Sequence, residues 1–349
     1  MRNFLEGYEH GGQIYDANGV AGDWLDFSAN INPLGLSERI LRTLVENLRG
    51  VVNYPDPNAA ELKRAISRRY DVPEKNLVLL NGAAEFFYLY LNVMRPARVI
   101  IPVPSFSEYE RAARAAQCEV RYFVTNAEEN FAIDVNRLRA DITPADCVII
   151  GRPNNPTGNL ITVEEILQLA QVASVIVDES FIDFIDVESV KKFASGKISV
   201  VQSLTKIFAI PGLRLGFAVV EENLARRLNF SKDVWNVNFL AQKAGVAALS
   251  DEDFLQRTRA WLEVEKKFFV EQLKNLRGVK VFSPTVNFIL FKHERAEEIL
   301  NELRSEKILL RSCANFVGLD KSYLRTAIRS REENLRLFNA LEKILEVTK

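Results

Sequence analysis

The sequence predicts an α/β protein with a large, mostly parallel sheet and a smaller α+β unit. Between residues 77 and 220, short apolar runs alternate with amphipathic stretches. Continuous apolar runs are typical of parallel strands buried on both faces. After about residue 238 the pattern changes to a long helical region followed by four strand-like runs. We therefore expect an arm with a first helix (1–47) that packs with the small domain, a large domain (48–238) and a small C-terminal domain (239–349).

The predicted elements of the large domain follow from local patterns. The first forty residues are rich in glycine and asparagine and lack a helical or strand period, which indicates an extended arm. Apolar residues at helical spacing predict helices over 37–47 and from about 59 to 70. Thr162 and Glu165 have the spacing of a capping box that opens a further helix. Seven strands of the large sheet are expected at 77–80, 98–103, 120–124, 147–151, 175–178, 199–203 and 216–220.

The C-terminal part begins with a helical region over 239–276, in which Gly245 is the only mild helix breaker. Ser330 and Glu333 form a second capping-box pattern ahead of a terminal helix. Four strands are expected between these helices, at 279–282, 287–291, 308–312 and 323–328.

Composition excludes several classes of function. The charges nearly cancel, with a net charge of −1, so we expect no nucleic-acid or membrane partner. No segment approaches the roughly 18 uninterrupted apolar residues of a membrane-spanning helix, and the acidic N-terminus does not resemble a signal peptide. The 3 cysteines are far apart and only 2 histidines are present, which disfavours a disulfide framework or a metal site. A reducing cytoplasm is the expected location.

The segment 201–216 carries the first chemical signal. Lys206 follows two hydroxyl side chains, Ser203 and Thr205, and Arg214 comes eight residues later. A lysine that forms a Schiff base with pyridoxal 5′-phosphate (PLP) needs neighbours that bind the cofactor phosphate, and hydroxyls with a guanidinium suit that dianion. The same residues alone could also be a strand end with a solvated lysine.

Other candidate site residues follow predicted strands, whose carboxyl ends face the ligand in open parallel sheets. The backbone N–H groups of Ala83 and Ala84 would open a helix and point at an anion, although an ordinary turn has the same pattern. Phe106 could lie against an aromatic ring or pack in the core. Asn155 would present an amide at a strand end. Asp178 would need a cationic partner, and the protonated pyridine nitrogen of PLP is one.

These segments together carry a resemblance to a known family. Residues 155–158, 178–181 and 203–206, followed by Arg214, resemble the fold-type I PLP enzymes of the aspartate aminotransferase superfamily. Within it the chain resembles the histidinol-phosphate aminotransferase branch. It is more similar still to the L-threonine-O-3-phosphate decarboxylases of cobalamin biosynthesis, through the segments 10–12, 27–35, 181–184, 311–315 and 327–330.

The resemblance implies the roles of the cofactor-binding residues. Lys206 would carry PLP, Asp178 would pair with its pyridine nitrogen, Phe106 would stack on the ring and Asn155 would bond its phenolic oxygen. Phe181 departs from the tyrosine of many aminotransferases, so one hydrogen bond to that oxygen would be missing. The phosphate would be held by Ser203, Thr205, Arg214, the amides of Ala83 and Ala84, and Tyr54 from the partner in a homodimer.

The resemblance also implies a phosphorylated amino-acid substrate, L-threonine O-3-phosphate, decarboxylated to 1-aminopropan-2-ol O-2-phosphate. Arg325 matches the arginine that binds the α-carboxylate in aminotransferases. We expect the substrate contacts to come from His10, Asn32, Asn155, Arg311, Arg325 and Arg329. Arg329 could instead be a surface charge beside the capping Ser330.

Three alternatives remain open to different degrees. The residues alone do not decide between decarboxylation and transamination of histidinol phosphate or a similar amine. A non-catalytic PLP-binding protein is disfavoured because the lysine, the aspartate and the arginine are all present. A dinucleotide-dependent oxidoreductase is disfavoured because no Gly-x-Gly-x-x-Gly motif occurs.

Overall fold

The computed structural model describes residues 9–282 and 284–346. The arm contains a short strand, β1 (Leu25–Asp26). The large sheet follows, and its strands are β2 (Leu77–Leu80), β3 (Arg98–Val103), β4 (Glu119–Val124), β5 (Asp146–Gly151), β6 (Ser174–Asp178), β7 (Ile198–Ser203) and β8 (Gly216–Val219). Each boundary lies within one residue of the sequence prediction, which confirms the seven strands.

The order of the large sheet is β2-β8-β7-β6-β5-β3-β4. The neighbours from β4 to β7 pair in parallel, whereas β8 is antiparallel to both β7 and β2. Strand β8 is therefore the one reversed strand of this sheet, and the carboxyl ends of the other six strands meet at one edge. The sheet is mostly parallel, as predicted, and this edge collects the loops that follow its strands.

Helices cover both faces of the large sheet and form much of the C-terminal part. The described helices longer than one turn of 3₁₀ type are α1 (Glu38–Asn47), α2 (Ala60–Tyr70), α3 (Glu85–Met94), α4 (Ser107–Ala115), α5 (Val135–Asp141), α6 (Val163–Ala170), α7 (Glu222–Ser231), α8 (Phe239–Leu249), α9 (Glu252–Asn275), α10 (Ala296–Ser305) and α11 (Arg331–Glu346). None of these is both long enough and apolar enough to cross a membrane.

Both predicted capping boxes are present. At the start of α6, the Glu165 amide donates to Thr162 Oγ1 at 3.2 Å and the Thr162 amide donates to the Glu165 carboxylate at 2.8 Å. Ser330 and Glu333 make the same reciprocal pair before α11, at 3.0 and 3.3 Å. These bonds satisfy amides that a helix leaves without intrahelical partners.

The prediction for the helical region 239–276 was wrong about the position of its break. Gly245 lies inside α8, where a Cβ atom would stand 2.7 Å from both Leu215 and Leu62, so this glycine permits close packing. The helix ends after Leu249, and Asp251 caps the next helix by accepting from the Phe254 amide at 3.3 Å. The capping aspartate was the stronger signal, because its side chain competes with helical continuation.

The C-terminal part contains the strands β9 (Lys280–Val281), β10 (Phe288–Lys292), β11 (Ile308–Leu309), β12 (Arg311–Ser312) and β13 (Tyr323–Ala327). Four of them form an antiparallel sheet in the order β12-β13-β10-β9. The predicted single run over 308–312 is divided, because β11 pairs in parallel with β1 of the arm. The large sheet and this smaller α+β unit confirm the predicted fold class.

The arm lies against the C-terminal part of the chain. The Phe27 amide donates to the Leu309 carbonyl at 2.8 Å, and the Phe27 carbonyl accepts from the Ala327 amide at 2.7 Å. Helix α1 packs on α8. Residues 1–8, which belong to the predicted arm, lie outside the described residues. The three-unit division at 47 and 238 stays a prediction.

Candidate active site

Lys206 lies just beyond the carboxyl end of β7. Its Nζ donates to Ser203 Oγ at 3.2 Å, and Ser203 Oγ lies 2.7 Å from Thr205 Oγ1. Burial lowers the pKa of Lys206 to about 8; Asp178 opposes this change, while the positive charges of Arg214 and Arg325 add to it. More of this lysine than of an ordinary lysine is therefore a neutral amine near neutral pH, and the neutral amine is the nucleophilic form.

Asp178 ends β6 and is held from two sides. The Tyr109 hydroxyl donates to Asp178 Oδ2 at 2.8 Å, and the Ser180 amide donates to Oδ1 at 2.9 Å. Burial and the neighbouring Asp178 charge raise the pKa of Tyr109 well above its usual value, so the phenol stays a donor. Asp178 forms no ion pair with a cation of the described residues. A buried, oriented carboxylate without a cation suits a positively charged ligand group.

Donors for an anion converge at the start of α3. The amides of Ala83 and Ala84 donate to no acceptor of the described chain, and they lie at the positive end of the helix dipole. Gly82 has φ of +83°, and a Cβ atom there would stand 2.2 Å from Arg214 Nη2. The Arg214 guanidinium therefore lies directly against this turn. The geometry unites two segments that are more than a hundred residues apart in sequence.

Two buried arginines lie side by side on the small sheet. Arg311 of β12 and Arg325 of β13 are direct cross-strand partners. Arg325 donates to Asn155 Oδ1 at 2.5 Å and to the Ser28 carbonyl at 2.6 Å, while its Nε has no partner among the described residues. Burial lowers the pKa of Arg325 to about 10, and the charge of Arg311 contributes to this change.

Arg311 is also held by neutral oxygens. It donates to the Glu9 carbonyl at 2.5 Å and to Asn315 Oδ1 at 2.7 Å, and burial lowers its pKa. Neither Arg311 nor Arg325 forms an ion pair with a carboxylate of the described residues. Two adjacent cations without a carboxylate in direct contact are expensive unless an anionic ligand neutralises them.

The arm reaches the same region through His10. The His10 Nε2 atom lies 2.9 Å from Glu108 Oε1, and the His10 ring is 5.6 Å from the Phe106 ring. The next residue, Gly11, is packed so closely that a Cβ atom would stand 2.1 Å from the Ser28 carbonyl oxygen. The arm thus connects the loop before α4 with the residues that bind Arg325.

Two predicted substrate contacts have structural partners instead. Both hydrogens of the Asn32 side-chain amide are used, by the Ile207 carbonyl and by Thr258 Oγ1 at 2.8 Å each, and its Oδ1 accepts from the Leu34 amide. Asn32 therefore fastens the arm to the Lys206 loop and keeps no free donor for a substrate. The predicted contact of Asn32 with the substrate stays a prediction, although this buried network already uses both hydrogens of its side-chain amide.

Arg329 departs from its predicted role in a similar way. Its Nε and Nη2 atoms donate to Glu333 at 3.0 and 2.5 Å, and its Nη1 donates to the Asp26 carbonyl at 3.2 Å. Its charge is already paired with Glu333 of α11, whereas neither Arg311 nor Arg325 forms an ion pair with a carboxylate of the described residues. The alternative, a charge beside the capping Ser330, describes this arrangement better.

Residues 22–341 match the family model described as aminotransferase class I and II. The chain belongs to this family. It is 37% identical to a threonine-phosphate decarboxylase of Salmonella typhimurium, over 96% of both chains. A solved histidinol-phosphate aminotransferase of Clostridium acetobutylicum superposes with a TM-score of 0.85 at 32% identity, covering 92% of this chain and 99% of that one. A solved L-threonine-O-3-phosphate decarboxylase of Porphyromonas gingivalis superposes with a TM-score of 0.81 at 30% identity, and it also covers 92% of this chain and 99% of its own.

The residues at the sheet edge fit PLP, the cofactor of this family. The free amides of Ala83 and Ala84 with Arg214 suit its phosphate, and the oriented carboxylate of Asp178 suits its pyridine nitrogen. Asn155 uses only its Oδ1 within the described chain, so its amide hydrogens remain for the ring oxygen. Phe106 is half-buried at the start of α4, beside the predicted ring position. Their individual roles stay predictions.

Sequence reasoning missed two neighbours of Phe106. Tyr109 orients Asp178, and Glu108 is a buried acid that binds the arm. Both follow Phe106 within one helical turn, so the segment that opens α4 carries three groups of the site. An acid and a phenol immediately after a candidate ring-stacking residue were the available signal, although their partners lie 69 and 98 residues away.

Proposed function

We propose that this chain is a PLP-dependent carboxy-lyase that decarboxylates L-threonine O-3-phosphate to 1-aminopropan-2-ol O-2-phosphate for cobalamin biosynthesis. The observation that supports it most is the pair of adjacent buried arginines, Arg311 and Arg325, which lie near Lys206 and have no ion-pair partner among the described residues. A substrate that carries both a phosphate and a carboxylate complements two such guanidiniums. The relatives named threonine-phosphate decarboxylase support the choice of reaction.

When bound, PLP supplies an electron sink for the bond that breaks at the substrate Cα. The protein decides which bond that is, because only a bond perpendicular to the cofactor ring can break. Arg311 and His10 would hold the substrate phosphate, which fixes the substrate at the end away from its carboxylate. Lys206, with a pKa of about 8, would then donate a proton to Cα after carbon dioxide has left.

An aminotransferase acting on histidinol phosphate is the second candidate. It is favoured by the TM-score of 0.85 with a solved histidinol-phosphate aminotransferase. The same pair of arginines would accept the phosphate of that substrate. The two functions differ in the fate of the amino group and in the release of carbon dioxide.

The product formed from L-threonine O-3-phosphate separates these candidates. We expect the holoenzyme to release carbon dioxide and 1-aminopropan-2-ol O-2-phosphate, with no requirement for 2-oxoglutarate. L-threonine without its phosphate is the matched control and should react poorly. Transfer of the amino group to 2-oxoglutarate without carbon dioxide release would contradict the decarboxylase assignment.

We also infer that the chain acts as a homodimer and that Tyr54 contributes to the partner's site. Tyr54 is 76% exposed and stacks on Trp235, with the ring centroids 4.2 Å apart. Val52, two residues earlier, is 84% exposed, so this surface presents apolar groups that an interface would cover. Light scattering should give twice the chain mass; a monomer that retains full activity would contradict the proposal. A reducing cytoplasm stays the expected location.

A further inference from the structure

Glu108 is a buried acid that the proposed reaction does not use. It lies in the first turn of α4, and its side chain accepts hydrogen bonds from His10 Nε2 at 2.9 Å, the Tyr88 hydroxyl at 2.8 Å and Arg111 Nη1 at 3.3 Å. Burial acts to raise the pKa of Glu108, but the hydrogen bonds from His10 and Tyr88 have the larger combined effect. The pKa of Glu108 is therefore lowered. The carboxylate is therefore charged, and its position is fixed from three directions.

The contact between Glu108 and His10 joins α4, which packs on the large sheet, to the arm. His10 lies next to Glu9, whose carbonyl accepts from Arg311, and its ring lies 5.6 Å from the Phe106 ring. His10 is thus held between the residue expected to stack on the cofactor and an arginine expected to bind the substrate. Its other ring nitrogen, Nδ1, has no partner among the described residues.

We propose that Glu108 is a positioning residue that holds His10 by Nε2 so that Nδ1 binds the phosphate of the substrate. This inference rests on the proposed function, because it assumes a phosphorylated substrate. A carboxylate that accepts from one imidazole nitrogen fixes the orientation of the ring, and with it the direction in which the second nitrogen faces. An N–H group at that second nitrogen donates to a phosphate oxygen.

The location of the acid explains why an arm residue can serve as a substrate ligand at all. The arm has little regular structure of its own near His10, and Gly11 and Gly12 follow it directly. Ser28 Oγ binds the Gly12 amide at 2.8 Å on one side, and Glu108 binds His10 on the other. With both anchors in place the imidazole is preorganised, and ordering it costs the substrate less binding free energy.

The test is a double-mutant cycle on the holoenzyme, with binding measured by titration calorimetry. The ligands are L-threonine O-3-phosphate under conditions without turnover, inorganic phosphate and L-threonine. We expect E108Q to weaken binding of the two phosphate-containing ligands by about 10-fold, as for loss of a charge-assisted hydrogen bond. H10A should weaken binding of these two ligands at least as much. Adding E108Q to H10A should not weaken their binding further. L-threonine binding should be the same in all variants.

E110Q is the matched control. Glu110 lies on the same helix, but its carboxylate binds Arg114 within α4 at 2.6 Å. This variant should bind all three ligands like the unmutated holoenzyme, and every variant should retain the absorbance spectrum of bound PLP. If E108Q does not fold, E108D replaces it in the cycle, since it keeps the charge but draws it back from His10; a smaller loss of phosphate binding is then expected.

Several outcomes would overturn the proposal. Additive effects of E108Q and H10A would show that Glu108 acts independently of His10. Equal weakening of L-threonine would show a general structural effect, and an unmutated holoenzyme without measurable phosphate binding would remove the subsite. The result does not depend on turnover: if the cycle behaves as expected but no carbon dioxide is formed, the reaction assignment fails and the phosphate subsite remains.

Discussion

The cofactor side and the substrate side of this site are built in different ways. The cofactor side consists of Asp178, Lys206 and Arg214 with the amides of Ala83 and Ala84, and each of these groups lies within a few residues of a strand of the large sheet. The substrate side consists of His10, Arg311 and Arg325, which come from the arm and from the small sheet. The first is carried by a buried sheet, and the second is assembled from segments roughly 300 residues apart.

This difference separates two tasks. Under the proposed function the strand ends would bind the cofactor, and they reveal little about the substrate. The arm and the small sheet would bind the substrate, because Arg311 and Arg325 have no carboxylate in direct contact among the described residues and would attract its anionic groups. We therefore expect substitutions on the two sides to have different signatures: loss of cofactor chemistry on one side and loss of substrate binding on the other.

The largest effect is expected from K206A on the cofactor side. Removing the amine removes both the nucleophile and the proton donor, so kcat should fall by at least about 1,000-fold. The absorbance band of lysine-bound PLP should also disappear. K232A is the matched control, because burial also lowers the pKa of Lys232 to about 8 but its Nζ binds the Leu79 carbonyl on edge strand β2. Near-normal turnover by K206A would remove Lys206 from the chemistry.

A second test of the cofactor side uses pH. With a pKa of about 8 instead of 10.5, roughly a quarter of Lys206 is neutral at pH 7.5, about 200-fold more than for an ordinary lysine. Because the pKa is lowered, the reactive form increases as the pH rises through 8. The rate at which the apoprotein forms the PLP absorbance band should increase with a midpoint near pH 8; a rate still rising steeply above pH 10 would contradict this environment.

On the substrate side, R311M should raise KM for the phosphorylated substrate by about 10- to 100-fold and change kcat less, since one charged donor pair is lost. PLP should bind as before. R121M is the control, because Arg121 pairs with Asp141 at the surface, 3.6 Å away. If R311M instead lowered PLP affinity with KM unchanged, the division between the two sides would be wrong.

The same division explains what could be predicted from sequence. The strands were predictable because apolar runs mark buried strands, and so were the positions of Asp178 and Lys206 at strand ends. The contacts of Asn32 were not predictable, because its partners Ile207 and Thr258 are determined by the packing of the arm on the Lys206 loop. The pairing of Arg329 with Glu333 was accessible, since the two residues are four apart at the start of a helix.

Tyr109 and Glu108 show where sequence reasoning stops. Both were visible after Phe106, but one binds Asp178 and the other binds His10, across 69 and 98 residues. Local patterns do not show which strand end or arm residue this segment meets. Contacts between distant segments form only when the whole chain has folded. Residues such as Tyr109 and Glu108, which contact other site residues and not the ligands, are therefore the hardest part of a site to predict.

The smallest effect is expected from Y109F, which tests whether the hydrogen bond from Tyr109 to Asp178 supports the cofactor side. The ring would keep its contacts with Phe87 and Phe106, at centroid distances of 4.7 and 5.6 Å, so the loss is confined to the hydroxyl that donates to Asp178. One hydrogen bond contributes about 1 kcal/mol, which corresponds to about 5-fold faster release of PLP, with KM for the substrate unchanged. Y90F is the control, because Tyr90 is another buried tyrosine and packs on Phe86. This variant should release PLP at the normal rate. Because the Ser180 amide still holds the other carboxylate oxygen at 2.9 Å, a loss far above 10-fold would mean that Tyr109 does more than orient Asp178.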